Sequence, residues 1–157
     1  MLVKDILFED FCNYKEPSMF ILFPKCSFKC CKENKDCYCQ NSPLTKVDNT
    51  ELSTEYVIKT FLNNPISKAI VCGGLEPFDS WLDLWHLISS LRNKTDAPVI
   101  IYTGYNKEEI KDKIKQLSLY KNIVVKFGRY IPNQNPHYDE VLGVNLASDN
   151  QYAEVIS

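Results

Sequence analysis

Four short, predominantly apolar runs set the limits on how this chain can fold. They are Met19 to Pro24 (MFILFP), Ala69 to Cys72 (AIVC), Pro98 to Tyr102 (PVIIY) and Ile123 to Lys126 (IVVK). Runs this short and this apolar, bounded by Pro, Gly or Asn, read as strands buried on both faces. Gly73-Gly74 halts the second run. Between the runs the period changes to that of a helix. Ser53 to Phe61 carries Tyr56, Val57, Thr60 and Phe61 at helical spacing, and Asn63, Asn64 and Pro65 stop it. Asp79 or Ser80 caps the next helix, whose apolar stripe is Trp81, Leu84, Trp85, Ile88 and Leu91. Asn106 caps a third, with Glu109 three residues on as in a capping box and Ile110, Ile114 and Leu117 facing inward. After Phe127 the pattern weakens. PNQNP (132–136) makes a loop, and Leu142 to Leu146 is read as a last short strand.

Strands separated by helices imply right-handed crossovers and a mostly parallel α/β sheet with flanking helices. The chain has 157 residues, without internal repeats or linkers, and is read as a single domain over 1–157. A closed eight-unit barrel needs about 200 residues or more, which leaves an open, partial barrel or a doubly wound sheet. Both place ligand sites beyond the C-terminal ends of the strands. The loop 25–41, Gly73-Gly74 and Thr103-Gly104 each follow a strand directly and should gather on one edge.

Composition narrows the function classes. A formal net charge of −2 with scattered Lys and Arg gives no nucleic-acid footprint. No apolar run approaches the roughly 18 residues of a membrane span. The N-terminal MLVKDILFEDF carries Asp5, Glu9 and Asp10 where a signal peptide needs an apolar core, so a cytoplasmic location is expected. There, clustered cysteines point to metal or redox chemistry rather than to disulfides, and the odd total of seven argues against a fully paired framework.

Five of those seven fall within KCSFKCCKENKDCYCQN (25–41): Cys26, Cys30, Cys31, Cys37 and Cys39. Four thiolates could hold a structural zinc ion, or a set of thiolates could hold an iron–sulfur cluster. Zinc sites generally use two C-x2-C pairs. This loop has none, its spacings being x3, none, x5 and x1, and no second Cys or His pair lies elsewhere. Cys12 and Cys72 are singletons and read as small core hydrophobes.

The loop resembles the cluster loop of radical S-adenosylmethionine (radical SAM) enzymes. Cys26-SFK-Cys30 is similar to the first half of that family's C-x3-C-x2-C. Tyr38-Cys39-Gln40-Asn41 resembles its aromatic-Cys end, with a six-residue insertion between. VCGGLEPF (71–78) resembles the family's GGEP turn with Leu75 as an extra residue. VIIYTGYNKEEI (99–110) resembles the strand–turn–helix of the activating proteins of anaerobic ribonucleotide reductases. KFGRYI (126–131) and LGVNLASDNQ (142–151) resemble later segments of the same subfamily. The likeness covers most of the chain, and EDFCNYKEPS stands where the subfamily has a short opening strand and a turn.

The resemblance implies an open partial (β/α) barrel of the radical SAM type. It implies a [4Fe-4S] cluster on Cys26, Cys30 and Cys39, with Cys37 the rival for the third position and Cys31, directly after a proposed ligand, expected to point elsewhere. S-adenosylmethionine would fill the open fourth iron site. Tyr38, Gly73, Gly74, Glu76, Thr103 and Gly104 would bind this cofactor. One electron, from a donor such as flavodoxin or ferredoxin, would cleave it to methionine and a 5′-deoxyadenosyl radical. The partner implied is a glycyl radical enzyme such as anaerobic ribonucleotide reductase. A radical SAM reaction on a peptide or small molecule, and a zinc-pinned binding module, stand as alternatives.

The remaining candidates have plainer readings. Trp81 and Trp85 read as core residues, His86 as a surface or partly buried residue, and His137 as part of the proline-rich loop. Lys107 to Lys115 (KEEIKDKIK) reads as a solvated helix face. No G-x-S-x-G, P-loop or H-E-x-x-H motif is present.

Overall fold

The computed structural model describes residues 1–33 and 39–157. Among the described residues, ten strands and four α-helices follow one another. The first part runs β1 (Leu2–Val3), β2 (Asp5–Asp10), β3 (Ser18–Phe23), α1 (Lys29–Glu33), β4 (Thr50–Glu51), α2 (Thr54–Asn63), β5 (Ala69–Gly74) and α3 (Trp81–Arg92). The rest runs β6 (Val99–Tyr102), α4 (Lys111–Leu117), β7 (Ile123–Phe127), β8 (His137–Asp139), β9 (Val144–Leu146) and β10 (Tyr152–Val155). Six strands form the main sheet in the order β10-β7-β6-β5-β3-β2. The four apolar runs are its parallel centre, β3, β5, β6 and β7, and antiparallel β2 and β10 flank it. This is a mixed α/β fold with a mostly parallel central sheet.

Alternation along each strand sends successive side chains to opposite faces. Met19, Ile21, Phe23, Ile70, Cys72, Val99, Ile101, Ile123, Val125 and Phe127 share one face. They pack against Val57, Ile58 and Phe61 of α2, Leu84, Leu87, Ile88 and Leu91 of α3, and Ile110, Ile114 and Leu117 at and within α4. All three crossover helices thus lie on the same side. That follows from right-handed crossovers between strands laid down in one direction, and it excludes the doubly wound arrangement. Full burial of each aliphatic side chain here contributes about 1.5–3 kcal/mol relative to exposure.

The other face begins apolar and does not stay so. Ala69, Val71, Ile100 and Val124 pack under Tyr14, Leu142 and Leu146, the last from the β8–β9 hairpin. One row further along the parallel strands lie Leu22, Gly73, Tyr102 and Lys126, where this covering stops.

Several local expectations change. β5 does not stop before the glycines but runs through both, pairing Leu22 with Gly73 and Phe23 with Gly74. A Cβ on Gly74 would lie 2.9 Å from Leu22 Cα, and its φ of +79° favours glycine in any case. Asp79 and Ser80 do not cap α3 through their side chains. A 3-10 turn over Pro77–Ser80 precedes it, capped by Glu76, whose carboxylate accepts from Phe78 N. Ser53 and the Asn106–Glu109 capping box start their helices as the sequence predicts. Trp85 is 40% exposed and Leu87 takes the core position, because α3 presents the Leu84, Leu87, Ile88 and Leu91 stripe to the sheet. Trp81 packs partly buried at the core's edge. His137 lies in β8 rather than in the loop before it. The 142–146 segment yields β9 in a separate hairpin, and β10 is the strand that closes the sheet edge.

Candidate metal centre and ligand cavity

The cysteine loop leaves the C-terminal end of β3 and is tied at once to the turns after β5 and β6. Glu76 N donates to Lys25 O at 2.7 Å, and Ser27 N donates to Asp79 Oδ2 at 2.5 Å. Asp79 Oδ1 accepts from the Tyr105 hydroxyl at 2.6 Å. Asp79, expected as a helix cap, is therefore a strut between three loops. Phe28 adopts a left-handed φ of +53°, which reverses the chain into α1. On the far side of the loop, Asn41 Nδ2 donates to Gly74 O at 2.6 Å.

Cys26, Cys30 and Cys39 are free and half-buried, and all three line one cavity of about 410 Å³. Burial pushes the Cys26 thiol up to about 12, opposed by the Phe28 N–H and reinforced by the nearby Glu76, Asp79 and Cys30. Burial also pushes Cys30 up, and Cys39 adds to the effect. Once deprotonated, thiolates that share one space call for a cation between them. Among the described residues no three His, Cys, Asp or Glu side chains stand close enough to hold a single metal ion. A four-iron cube is larger than one ion and takes its thiolates further apart. Cys26, Cys30 and Cys39 supply the soft thiolate donors that such a cluster takes. Cys31 is disulfide-bonded and is not one of the free thiols. Cys37 and Tyr38 lie outside the described residues.

The cavity continues past the thiols onto the sheet. Gly73, Gly74, Glu76, Thr103 and Gly104, all expected at the site from sequence, line it together with Cys26, Cys30 and Cys39. Glu76 is 7% exposed. Its Oε1 accepts from Phe78 N at 3.1 Å and Thr103 Oγ1 at 2.8 Å, and its Oε2 accepts from Gly104 N at 2.9 Å. Burial pushes its carboxyl up to about 7 against those three donors. With about four acceptor positions and three used, one position on Oε2 is left to meet a ligand. Gly73 makes the floor: a Cβ there would lie 2.7 Å from the Phe20 ring and 3.5 Å from Tyr102 Cβ.

Sequence reasoning missed other residues of the wall. Lys126 is buried in β7 facing the cavity, its Nζ donating to Gly128 O at 2.9 Å. Burial pulls its amine down to about 8, and Glu76 partly restores it. The one cation inside IVVKF was the available signal. Arg129 also lines the cavity, and Asn145, Leu146 and Gln151 come from the C-terminal segment. Cys12, expected in the core, is instead exposed and lines this same cavity, because Asp10 folds the loop after β2 by accepting from Cys12 N and Asn13 N. Cys72 is fully buried in the core as expected. Lys107 to Lys115 is less solvated than expected: Glu109 pairs with Arg129, and Lys113 donates to Phe78 O at 2.8 Å while lying over the rings of Phe78 and Trp81. No helix among the described residues is long and apolar enough to cross a membrane.

The family model of the 4Fe-4S single cluster domain matches residues 18–151, which takes in β3 to β9, the cysteine loop and most of the cavity wall. No curated protein and no solved structure matches the chain.

Proposed function

The chain belongs to the 4Fe-4S single cluster domain family, and from that premise we propose that it is a radical SAM enzyme. In this reading Cys26, Cys30 and Cys39 hold a [4Fe-4S] cluster by three irons. S-adenosylmethionine occupies the cavity beside it. The observation that carries the reading is the convergence of the loop's free thiols Cys26, Cys30 and Cys39 on a cavity that extends past them to a buried carboxylate. Its volume of about 410 Å³ lies in the range of small-molecule sites. The single-sided winding of the sheet supports a partial barrel of the radical SAM type.

A cluster held by Cys26, Cys30 and Cys39 would, once reduced, supply the single electron for reductive cleavage of the sulfonium. The chain's own residues do the rest. Glu76 receives the ligand's ammonium on its free Oε2 position, which favours the charged carboxylate that burial disfavours. Gly73 and Gly74 leave room for the ligand's backbone-like portion against β5. Phe20, Leu22 and Leu146 supply apolar wall and keep water from the radical. The partner in this reading is a glycyl radical enzyme such as anaerobic ribonucleotide reductase, which completes the open side of the cavity. An external flavodoxin or ferredoxin delivers the electron.

Anaerobic reconstitution tests it. The expected product is brown, holds about four irons and four sulfides, and has an EPR signal that S-adenosylmethionine perturbs. It forms deoxyadenosine, and a glycyl radical appears when anaerobic ribonucleotide reductase is added. Cys26→Ser, Cys30→Ser or Cys39→Ser should each remove most of the iron. Colourless protein with one zinc, or a cluster indifferent to S-adenosylmethionine, overturns the proposal. Deoxyadenosine without any protein radical moves the reaction to a peptide or small molecule.

A further inference from the structure

Behind the thiols stands a fixed charge. Gly128, with φ +95°, turns the chain after β7, and a Cβ there would lie 2.8 Å from Asn150 O. The turn is pinned by Gly128 N donating to Tyr105 O at 3.1 Å and by Asn150 Nδ2 donating to Arg129 O at 2.8 Å. Arg129, only 9% exposed, leaves this turn and crosses Gly104, whose absent Cβ would sit 3.9 Å from Arg129 Cγ. Its guanidinium makes a two-point pair with Glu109, at 2.7 and 2.8 Å. Glu109 is itself held, accepting from Asn106 N at 2.8 Å. Arg129 lines both the main cavity with the three thiols and a small recess shared with Cys26 and Cys30, whereas Glu109 lines neither. The guanidinium thus faces the space that the thiols share, with the Glu109 carboxylate behind it.

We propose that Arg129, oriented by Glu109 across Gly104, sets the reduction potential of the cluster held by Cys26, Cys30 and Cys39. Reduction adds one negative charge to a centre already ringed by thiolates. A fixed cation beside it, in a partly desolvated setting, favours the reduced state, and a carboxylate behind that cation opposes it. The inference rests on the cluster ligation in the proposed function and not on S-adenosylmethionine cleavage. Its structural alternative is that the pair only ties the end of β7 to the start of α4.

The two separate on the sign of the potential shifts. The full chain and the Arg129→Gln, Arg129→Lys and Glu109→Gln variants are reconstituted anaerobically, assayed for iron, and titrated by EPR without S-adenosylmethionine. Arg129→Gln is expected to disfavour reduction about tenfold, a fall of about 59 mV for one electron. Glu109→Gln is expected to shift the potential upward, and Arg129→Lys to stay near the parent. Iron-loaded variants with unchanged potentials overturn the inference and leave the proposed function standing. Shifts of one sign in both variants also overturn it, as general loosening. If Arg129→Gln does not retain iron, the sign in Glu109→Gln decides. A parent protein that takes up no iron overturns the ligand assignment and this inference together.

Discussion

The two faces of the central sheet have opposite designs. On the helix-covered face, every strand position from Met19 through Val125 named above is buried and apolar, from one end of the strands to the other. On the opposite face the same strands are apolar only in their first half. At the row Leu22–Gly73–Tyr102–Lys126 the side chains become missing, phenolic or cationic, and a cavity opens. One set of strands thus carries a dry core on one side and a chemical site on the other. The difference lies in what stands above the last row. Helices cover the first face throughout, whereas the cysteine loop and the turns after β5 and β6 roof the second and leave it hollow.

The largest expected effect breaks this contrast by deepening it. Ile101 is fully buried on the helix-covered face, so Ile101→Ala should cost about 2–5 kcal/mol, since it removes packed atoms and leaves a void. Leu22, only half-buried and lining the cavity, gives Leu22→Ala no new void to create. Its cost should be nearer about 1 kcal/mol, mostly the lost transfer term. Urea denaturation of the two variants, iron-free, checks the ranking. Equal losses would mean that the cavity side is as tightly packed as the core.

The same asymmetry explains what was legible in the sequence. The helix-covered face follows from periodicity alone: all four apolar runs became the parallel strands, and Ile110, Ile114 and Leu117 point inward as their spacing predicts. Trp85 was misjudged because a stripe of threes and fours admits two neighbouring faces, and only tertiary packing chose the Leu87 side. The candidate site was legible where a motif was local, as with Cys26, Cys30, Gly73, Glu76 and Gly104. It was not legible where function comes from register across strands. Lys126 meets Gly73 and Tyr102 only because β5, β6 and β7 align, and Cys12 reaches the cavity only because the loop after β2 folds over it. The edge strands β2 and β10 were obscure for a simpler reason. Their exposed positions, such as Leu7, Phe8, Tyr152 and Val155, follow no period-2 alternation and stand among charged residues, so they carry no clean signal.

A second prediction concerns charge on the cavity side. Glu76 ordinarily titrates near 4.5 when unfolded and near 7 in the fold. Between those values the folded chain holds the proton and the unfolded chain does not. Stability of the iron-free protein should therefore fall as pH rises from about 5 to 7, by up to about 1.4 kcal/mol per pH unit from this group. Glu76→Gln has no proton to lose, so its melting temperature should lack that slope, although one donor, Gly104 N–H, is left unpaired. A slope that persists in the variant would assign it to another group. The helix-covered face holds no buried carboxylate among its packed strand residues and offers no counterpart.

The smallest effect expected is a gain. Lys126 keeps its amine in a buried position where the ordinary value of 10.5 falls to about 8. The folded chain thus binds the proton less tightly than the unfolded chain, and at neutral pH the charge opposes folding. That opposition fades only as pH rises from about 8 toward 10.5. Lys126→Met should remove it while keeping the stem's contacts and losing one hydrogen bond, to Gly128 O. The net expected change is about 1 kcal/mol of added stability at neutral pH, since desolvating an amine outweighs one neutral-acceptor bond. A variant less stable than the parent would show that the Gly128 bond dominates. A more stable variant with weakened S-adenosylmethionine binding would place Lys126 with Glu76, as charges held against the folding preference of the sheet for the sake of the cavity.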